Sequence, residues 1–207
     1  MPAPATARIF SICMATADAP GMQNVAAVIL AGGQGRRMGG ADKGLVDYQG
    51  RPLVEWVLAV LAPQVGEIVI SANRNLERYA AYGRRVLPDT LPDYPGPLAG
   101  VLAALQAVTT DWLLVVPCDT PHLPADLAFR LLGAAQLEGV PLAVAEDDTR
   151  IHHSCFLVHT DQREHLAGYL ARGERAVRHW QAELSSTTVR FDAAAFANLN
   201  RPDDLQP

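Results

Sequence analysis

The chain has 207 residues, 49% of them hydrophobic and 19% charged, with a formal net charge of −5 at pH 7. This length suits one domain with a core of its own, and the composition is that of a globular protein. The negative charge argues against a nucleic-acid-binding protein, which would carry a basic surface. No apolar run approaches the roughly 20 residues of a membrane-spanning helix, so we expect no membrane partner.

The cysteine count indicates the redox compartment of the protein, and the start of the chain sets the boundary of the predicted domain. Three cysteines, Cys13, Cys118 and Cys155, are an odd number without metal-ligand spacing, which favours reduced thiols and a cytoplasmic protein. We expect residues 1–23 to form a poorly ordered extension. Residues 24–207 then form a single domain.

Strands and helices alternate along the predicted domain. We predict strands at residues 25–30, 67–71, 85–87, 112–116, 142–146, 155–158 and 187–191. We predict helices at residues 52–62, 98–108, 125–135, 161–170 and 174–184, and a short polar helix that ends near residue 82. This alternation indicates an α/β domain on a mostly parallel sheet. Ligands of such sheets bind at the carboxyl ends of the strands, so the loops after the strands should carry the site.

The loop after the first strand is rich in glycine and positive charge. Five glycines fall between residues 32 and 40, and Arg36, Arg37 and Lys43 lie in or beside this stretch. Bare backbone amides with fixed cations are typical of a phosphate-binding loop, although a flexible surface loop is the alternative. Neither the P-loop nor the dinucleotide-binding pattern fits, because Lys43 precedes Gly44 and Met38 replaces the third glycine. Lys43 is the one lysine beside sixteen arginines, and its compact ammonium suits a contact with one phosphate oxygen.

A carboxylate follows the most apolar predicted strand. Asp119 either caps the next helix or, opposite bound phosphates, holds a cation such as Mg²⁺. Lys43, Asn73, Asp89 and Asp119 each lie in a loop after a predicted strand. We therefore expect these four residues on one edge of the sheet.

Residues 30–44 resemble the signature loop of the molybdenum cofactor guanylyltransferases, which belong to the nucleotidyltransferases with a Rossmann-like fold. Residues 95–100, preceded by Asp89, and the Pro-Cys-Asp-Thr-Pro segment around Asp119 also resemble motifs of this family. The resemblance implies a three-layer Rossmann-like nucleotidyltransferase fold with helices on both faces of the sheet. It also implies a Mg²⁺-dependent transfer of GMP from GTP to the phosphate of molybdopterin, which forms the guanine dinucleotide cofactor and pyrophosphate.

The resemblance further implies roles for individual residues. Catalytic roles fall on Lys43, Arg37 and Asp119, and Asp119 is the metal ligand. Nucleotide contacts fall on Leu30, Ala31, Gly32, Gly33, Gly35, Lys43, Ser71, Asn73, Asp89, Pro97, Leu98, Gly100 and Asp119. Asn73 is the candidate for reading the guanine, whose donors and acceptor need both kinds of partner, and Ser71 replaces an asparagine found in some relatives.

The pterin substrate is assigned to Asn198, Asn200 and Arg175. The alternatives are a turn for the two asparagines and an exposed helix charge for the arginine.

Other functions stay open on the sequence. A cytidylyltransferase for the same pterin and a sugar-1-phosphate nucleotidyltransferase share this chemistry, and a non-catalytic nucleotide-binding or cofactor-chaperone protein would share only the binding. The expected partners are GTP, molybdopterin and molybdoenzymes or cofactor-delivery proteins.

Overall fold

A central sheet with one reversed strand forms the middle of the fold. The computed structural model describes residues 21–32, 42–89, 96–197 and 199. In chain order the strands are β1 (Val25–Leu30), β2 (Asp47–Tyr48), β3 (Arg51–Pro52), β4 (Glu67–Ser71), β5 (Arg85–Leu87), β6 (Trp112–Pro117), β7 (Leu142–Glu146), β8 (Ile151–His159) and β9 (Ser186–Arg190). Within the described ranges, seven of them form one sheet in the order β5-β4-β1-β6-β8-β7-β9, and β2 and β3 form a separate ribbon. Only β8 runs against its neighbours β6 and β7, so the predicted mostly parallel sheet is confirmed.

Helices cover both faces of this sheet. They are α1 (Leu53–Leu61), α2 (Leu76–Ala80), α3 (Pro97–Ala107), α4 (Leu127–Glu138), α5 (Arg163–Ala171) and α6 (Val177–Ala182). Side chains of α1 and α4 pack with Ala27 and Ile29 on one face, whereas those of α3, α5 and α6 pack with Ala26 and Val28 on the other. Strand β1 is therefore buried on both faces, which explains its unbroken apolar sequence. This is the predicted three-layer architecture.

Several boundaries differ from the sequence predictions, and the structure gives a reason for three of them. Strand β8 starts at Ile151 rather than at residue 155, because Ile151 pairs with Glu146 across an irregularity in β7. Helix α6 is shorter than predicted because Ala176 has an extended backbone. The folded chain also begins before residue 24, since Met22 is buried in the core. The remainder of the predicted extension, residues 1–20, lies outside the described residues, and so do residues 90–95 of the proline-rich loop.

No helix in the described part of the chain is both long and apolar enough to cross a membrane.

Candidate functional site

The carboxyl ends of β5, β4, β1 and β6 form one continuous edge, and backbone hydrogen bonds join the loops that leave it. The Ala31 amide donates to the Ser71 carbonyl at 2.8 Å, and the Cys118 amide donates to the Leu30 carbonyl at 3.1 Å. The loop after β4 joins the end of β5 through the Ala72 amide and the Leu87 carbonyl, 3.1 Å apart. These bonds bring the first residues of the four loops together.

Lys43 and Asp119 meet at this edge. Lys43 begins a short 3-10 helix after the glycine-rich loop, and Asp119 lies two residues beyond β6. The Lys43 ammonium donates to Asp119 Oδ2, and the side chains are only 21% and 12% exposed. Partial shielding from water makes this attraction stronger than that of a pair on the open surface. The two residues thus lie together, as their places after two neighbouring strands predict.

Asp42, the residue before Lys43, is held by the segment around α2. The Tyr79 hydroxyl donates to Asp42 Oδ1 at 2.5 Å, and Asn75 Nδ2 donates to Asp42 Oδ2 at 2.9 Å. Burial, followed by the bond to Asp42, raises the pKa of the Tyr79 hydroxyl far above its ordinary value. Sequence reasoning missed this contact, because nothing in the local pattern links residues 37 positions apart.

Asn73 and Asp89 form a second unit of the edge. Asn73 Nδ2 donates to Asp89 Oδ2 at 2.7 Å, and the Asp89 amide donates to Asn73 Oδ1 at 2.8 Å. Burial raises the pKa of Asp89, and the bond from Asn73 opposes that rise. Gly32 packs against this unit, since a Cβ there would lie 3.2 Å from Asn73 Nδ2. Asp89 therefore engages both the donor and the acceptor of the Asn73 amide, and it does so through one carboxylate oxygen and its backbone amide.

The first turns of α3 lie over the end of β4. Gly96 has φ +92° and Pro97 occupies the first helical position, where its missing N–H is tolerated. Leu98 is fully buried. A Cβ on Gly100 would overlap Ser71 Oγ and would come within 3.2 Å of Leu30 Cδ2. Glycine at this position therefore lets α3 approach the sheet, and Ser71, only 2% exposed, lies beneath the helix.

The predicted pterin residues are only partly described. Arg175 is exposed, and its guanidinium donates to the Leu170 carbonyl at 2.8 Å and to the Glu174 carbonyl at 2.6 Å, next to the end of α5. Five residues with assigned roles lie outside the described residues: Gly33, Gly35, Arg37, Asn198 and Asn200. Leu199 is described, and its amide donates to the Asp119 carbonyl at 3.2 Å. The late segment of the chain therefore reaches the same edge at Asp119.

A buried polar cluster lies at the turn between β7 and β8. Asp147 accepts hydrogen bonds from the Thr149 amide and hydroxyl and from the Arg150 amide, and it pairs with His152 Nε2 at 2.8 Å. These bonds, those from Thr149 first, hold the pKa of Asp147 well below its ordinary value. The His152 ring stacks on Phe196 with centroids 4.2 Å apart, so it stabilises the segment that leads to Leu199.

Comparison with known proteins identifies the family. The sequence profile described as "MobA-like NTP transferase domain" matches residues 27–187. A molybdenum cofactor guanylyltransferase from Cupriavidus necator is 43% identical over 189 residues, which cover 88% of this chain and 95% of that protein. The chain belongs to the MobA-like NTP transferase family. A second molybdenum cofactor guanylyltransferase, from Shewanella sp. strain ANA-3, is 44% identical over 182 residues, covering 87% of this chain and 92% of that protein.

Solved structures agree on the fold of this NTP transferase. The molybdopterin-guanine dinucleotide biosynthesis protein A from Archaeoglobus fulgidus superposes with a TM-score of 0.73 at 24% identity, covering 87% of this chain and 94% of that one. The 2-C-methyl-D-erythritol 4-phosphate cytidylyltransferase from Thermus thermophilus has a TM-score of 0.66 at 22% identity, covering 86% and 94%. The Rossmann-like nucleotidyltransferase fold is therefore confirmed.

The described edge of this NTP transferase offers two kinds of ligand contact. Lys43 supplies a cation, and Asp89 and Asp119 supply carboxylates. Within the described residues no group of three or more His, Cys, Asp or Glu could hold a metal by itself.

Proposed function

We propose that this NTP transferase moves GMP from GTP to the phosphate of molybdopterin, forming the molybdopterin guanine dinucleotide cofactor and pyrophosphate. The observation that carries the proposal is the Lys43–Asp119 pair at the carboxyl edge of β1 and β6. Relatives at 43% identity over most of both chains are named for this activity. A cation and a carboxylate at one edge provide the charges that a nucleotidyl transfer needs.

The chemistry asks the protein for positioning and charge stabilisation rather than for a base. A phosphate monoester has a second pKa of about 6, so the attacking phosphate is already largely anionic at neutral pH. In our proposal the amides of Gly32, Gly33 and Gly35, together with Arg37, bind the β- and γ-phosphates of GTP. Lys43 stabilises the negative charge that develops at the transferring phosphorus.

Asp119 is the residue that we assign to Mg²⁺. Its carboxylate lies in a partly shielded position at the site edge, and Mg²⁺ in nucleotide sites commonly takes one or two carboxylates together with phosphate oxygens and water. The single carboxylate therefore fits a metal that arrives with the nucleotide. Bound there, the metal would neutralise phosphate charge in the transfer. Without nucleotide, Lys43 compensates the charge of Asp119, and it can exchange this partner for a phosphate oxygen.

Asp89 is the residue that we assign to the guanine base. Guanine presents N–H donors, which a carboxylate oxygen accepts. Asn73 then acts through Asp89, because its amide holds the Asp89 side chain and backbone amide in place. In this proposal the adjoining wall of the nucleotide site is formed by Leu30, Ala31, Ser71, Pro97, Leu98 and Gly100.

The pterin side of the site rests on the late segment of the chain. The hydrogen bond from the Leu199 amide to the Asp119 carbonyl supports a role for Asn198 and Asn200 beside the metal ligand. Both carbonyl bonds of Arg175 come from Nη1, and the other N–H donors of its guanidinium would contact the pterin phosphate in this proposal. We place the reaction in the cytoplasm, where the buried free thiols of Cys118 and Cys155 stay reduced. In this proposal the chain from Met22 onwards acts there as one domain.

The test is a turnover comparison with defined substrates. The purified chain is incubated with molybdopterin, Mg²⁺ and GTP, CTP, ATP or UTP, and pyrophosphate release and the dinucleotide product are measured. We expect product with GTP in strong preference to the others. Preference for CTP would indicate a cytidylyltransferase, and turnover with a sugar 1-phosphate instead of molybdopterin would indicate a sugar nucleotidyltransferase. GTP binding in calorimetry without pyrophosphate release would indicate a nucleotide-binding chaperone.

A further inference from the structure

The residues on both sides of Lys43 are in contact with one buried tyrosine, Asp42 through its carboxylate and Gly44 through its main chain. Tyr79 is completely buried, and its hydroxyl donates to Asp42, the residue before Lys43. On the other side, a Cβ on Gly44 would lie only 2.5 Å from Tyr79 Oη. The hydroxyl thus occupies the space beside Gly44 while it holds Asp42.

Asn75 holds Asp42 from the same segment. It precedes α2 with φ +51°, a left-handed conformation that asparagine adopts more readily than most residues. This conformation starts the helix, and the Asn75 amide donates to the second carboxylate oxygen of Asp42. Both oxygens of Asp42 are therefore bound by α2 and the residue before it.

We infer that Tyr79 is a positioning residue for the transfer reaction, which acts by holding the Asp42–Gly44 backbone so that Lys43 faces Asp119. The inference deepens the proposed function and rests on it. A lysine side chain has four rotatable bonds and loses much rotamer freedom when it is fixed. Fixing the backbone at both neighbours limits the positions of the Lys43 ammonium before the nucleotide arrives. A displacement of about 1 Å at a reacting centre reduces rates on the order of 100-fold.

The chemistry of Tyr79 suits this role. Burial raises its pKa, so at neutral pH the hydroxyl stays protonated and remains a donor to Asp42. The hydroxyl is also rigid in position, because the ring is enclosed by the core cluster of α1 and α4. Phenylalanine would keep the ring and remove only the hydroxyl, with its contacts to Asp42 and Gly44.

The test compares Tyr79→Phe with Tyr82→Phe. Tyr82 follows α2 and its hydroxyl lies near Glu55, so this control removes a nearby hydroxyl that makes no contact with Asp42 or Gly44. We expect Tyr79→Phe to lower kcat on the order of 10-fold or more, with a smaller change in KM for GTP, and Tyr82→Phe to leave both unchanged. Asn75→Gly tolerates the positive φ and should lower kcat in the same way if Tyr79→Phe folds poorly.

A double-mutant comparison separates positioning from general damage. If Tyr79 acts through Lys43, then adding Tyr79→Phe to Lys43→Ala should change kcat by less than about twofold. Independent, multiplying effects of the two substitutions would overturn the inference, and so would a Tyr79→Phe enzyme with the activity of the Tyr82→Phe control.

The lone lysine gives a readout that does not need turnover. Protein labelled with ¹³C-lysine has one lysine side chain to observe, and we expect a dispersed Cε signal that Tyr79→Phe moves towards the position of an unstructured lysine. An unchanged signal in the variant would overturn the inference. If the wild type transfers no nucleotide, the proposed function fails, and the lysine signal still decides whether Tyr79 positions Lys43.

Discussion

Replacing Lys43 with alanine should lower both stability and turnover, and the different sizes of the two losses separate its roles in folding and catalysis. The Lys43 and Asp119 side chains are 21% and 12% exposed, between an open surface pair and a fully buried one. Loss of an exposed pair costs about 0.2–1 kcal/mol, and breaking a buried pair costs about 3–5 kcal/mol. We therefore expect Lys43→Ala to lower the free energy of unfolding by about 1–2 kcal/mol, equivalent to about 2–8 °C in Tm.

The expected loss of turnover is larger. Removing one preorganised group that stabilises transition-state charge lowers kcat by about 10²–10³, or about 2.7–4 kcal/mol in the barrier. The assay is pyrophosphate release with GTP, molybdopterin and Mg²⁺, run beside thermal unfolding of the same samples. Lys43→Arg keeps the charge but not the compact ammonium, so it should recover stability more than turnover.

Arg85→Ala is the matched control. Arg85 pairs with Glu67 at 3.0 Å, and these residues begin β5 and β4 at the opposite edge of the same sheet. Its loss should cost stability, about 1 kcal/mol or less, and leave turnover unchanged. A Lys43→Ala enzyme with full turnover would refute the catalytic role. A loss of activity that matched the fraction unfolded would refute it equally.

Four further substitutions test other parts of the site and the fold. Asp119→Asn removes the charge of the assigned metal ligand, so a Mg²⁺ titration should show turnover at least about 100-fold lower with a weakened metal response; an unchanged titration would contradict the assignment. Asp89→Asn should raise KM for GTP without lowering Tm at neutral pH. Because burial raises the pKa of Asp89, the stability that its protonated carboxyl contributes is lost as pH rises through that pKa. Gly100→Ala should cost about 1–3 kcal/mol in urea unfolding through overlap with Ser71 Oγ, and Ser71→Ala should recover part of it; additive losses would contradict the overlap. Asp147→Ala should lower Tm at neutral pH, and because the pKa of Asp147 is depressed, the difference from wild type should shrink as pH falls below about 4.

The sequence predicts the site edge because the topology leaves little choice. An unbroken apolar run such as β1 is buried on both faces, and helices must then cover both sides of the sheet. Parallel strands end at the same edge, so residues after β1 and β6 meet there without any knowledge of side-chain packing. The proximity of Lys43 and Asp119 follows from this rule.

No local sequence pattern predicts the contacts between polar residues that are distant in the chain. The bond between Asp42 and Tyr79 depends on how α2 packs, and the hydrophobic spacing of a five-residue helix does not reveal its buried face. The sequence assigns the base-reading amide to Asn73, but it gives no sign that Asp89 occupies that amide. The reversed direction of β8 likewise depends on its pairing with β6 and β7, whereas its sequence shows only a short apolar run.

A crystal structure of the chain with GTP and Mg²⁺ tests the central claim most directly. The account predicts triphosphate oxygens on the Lys43 ammonium, the metal on the Asp119 carboxylate and the guanine beside Asp89, all at the carboxyl edge of β1, β4, β5 and β6. A nucleotide bound elsewhere, or one bound at this edge with Lys43 still paired to a metal-free Asp119, would contradict it.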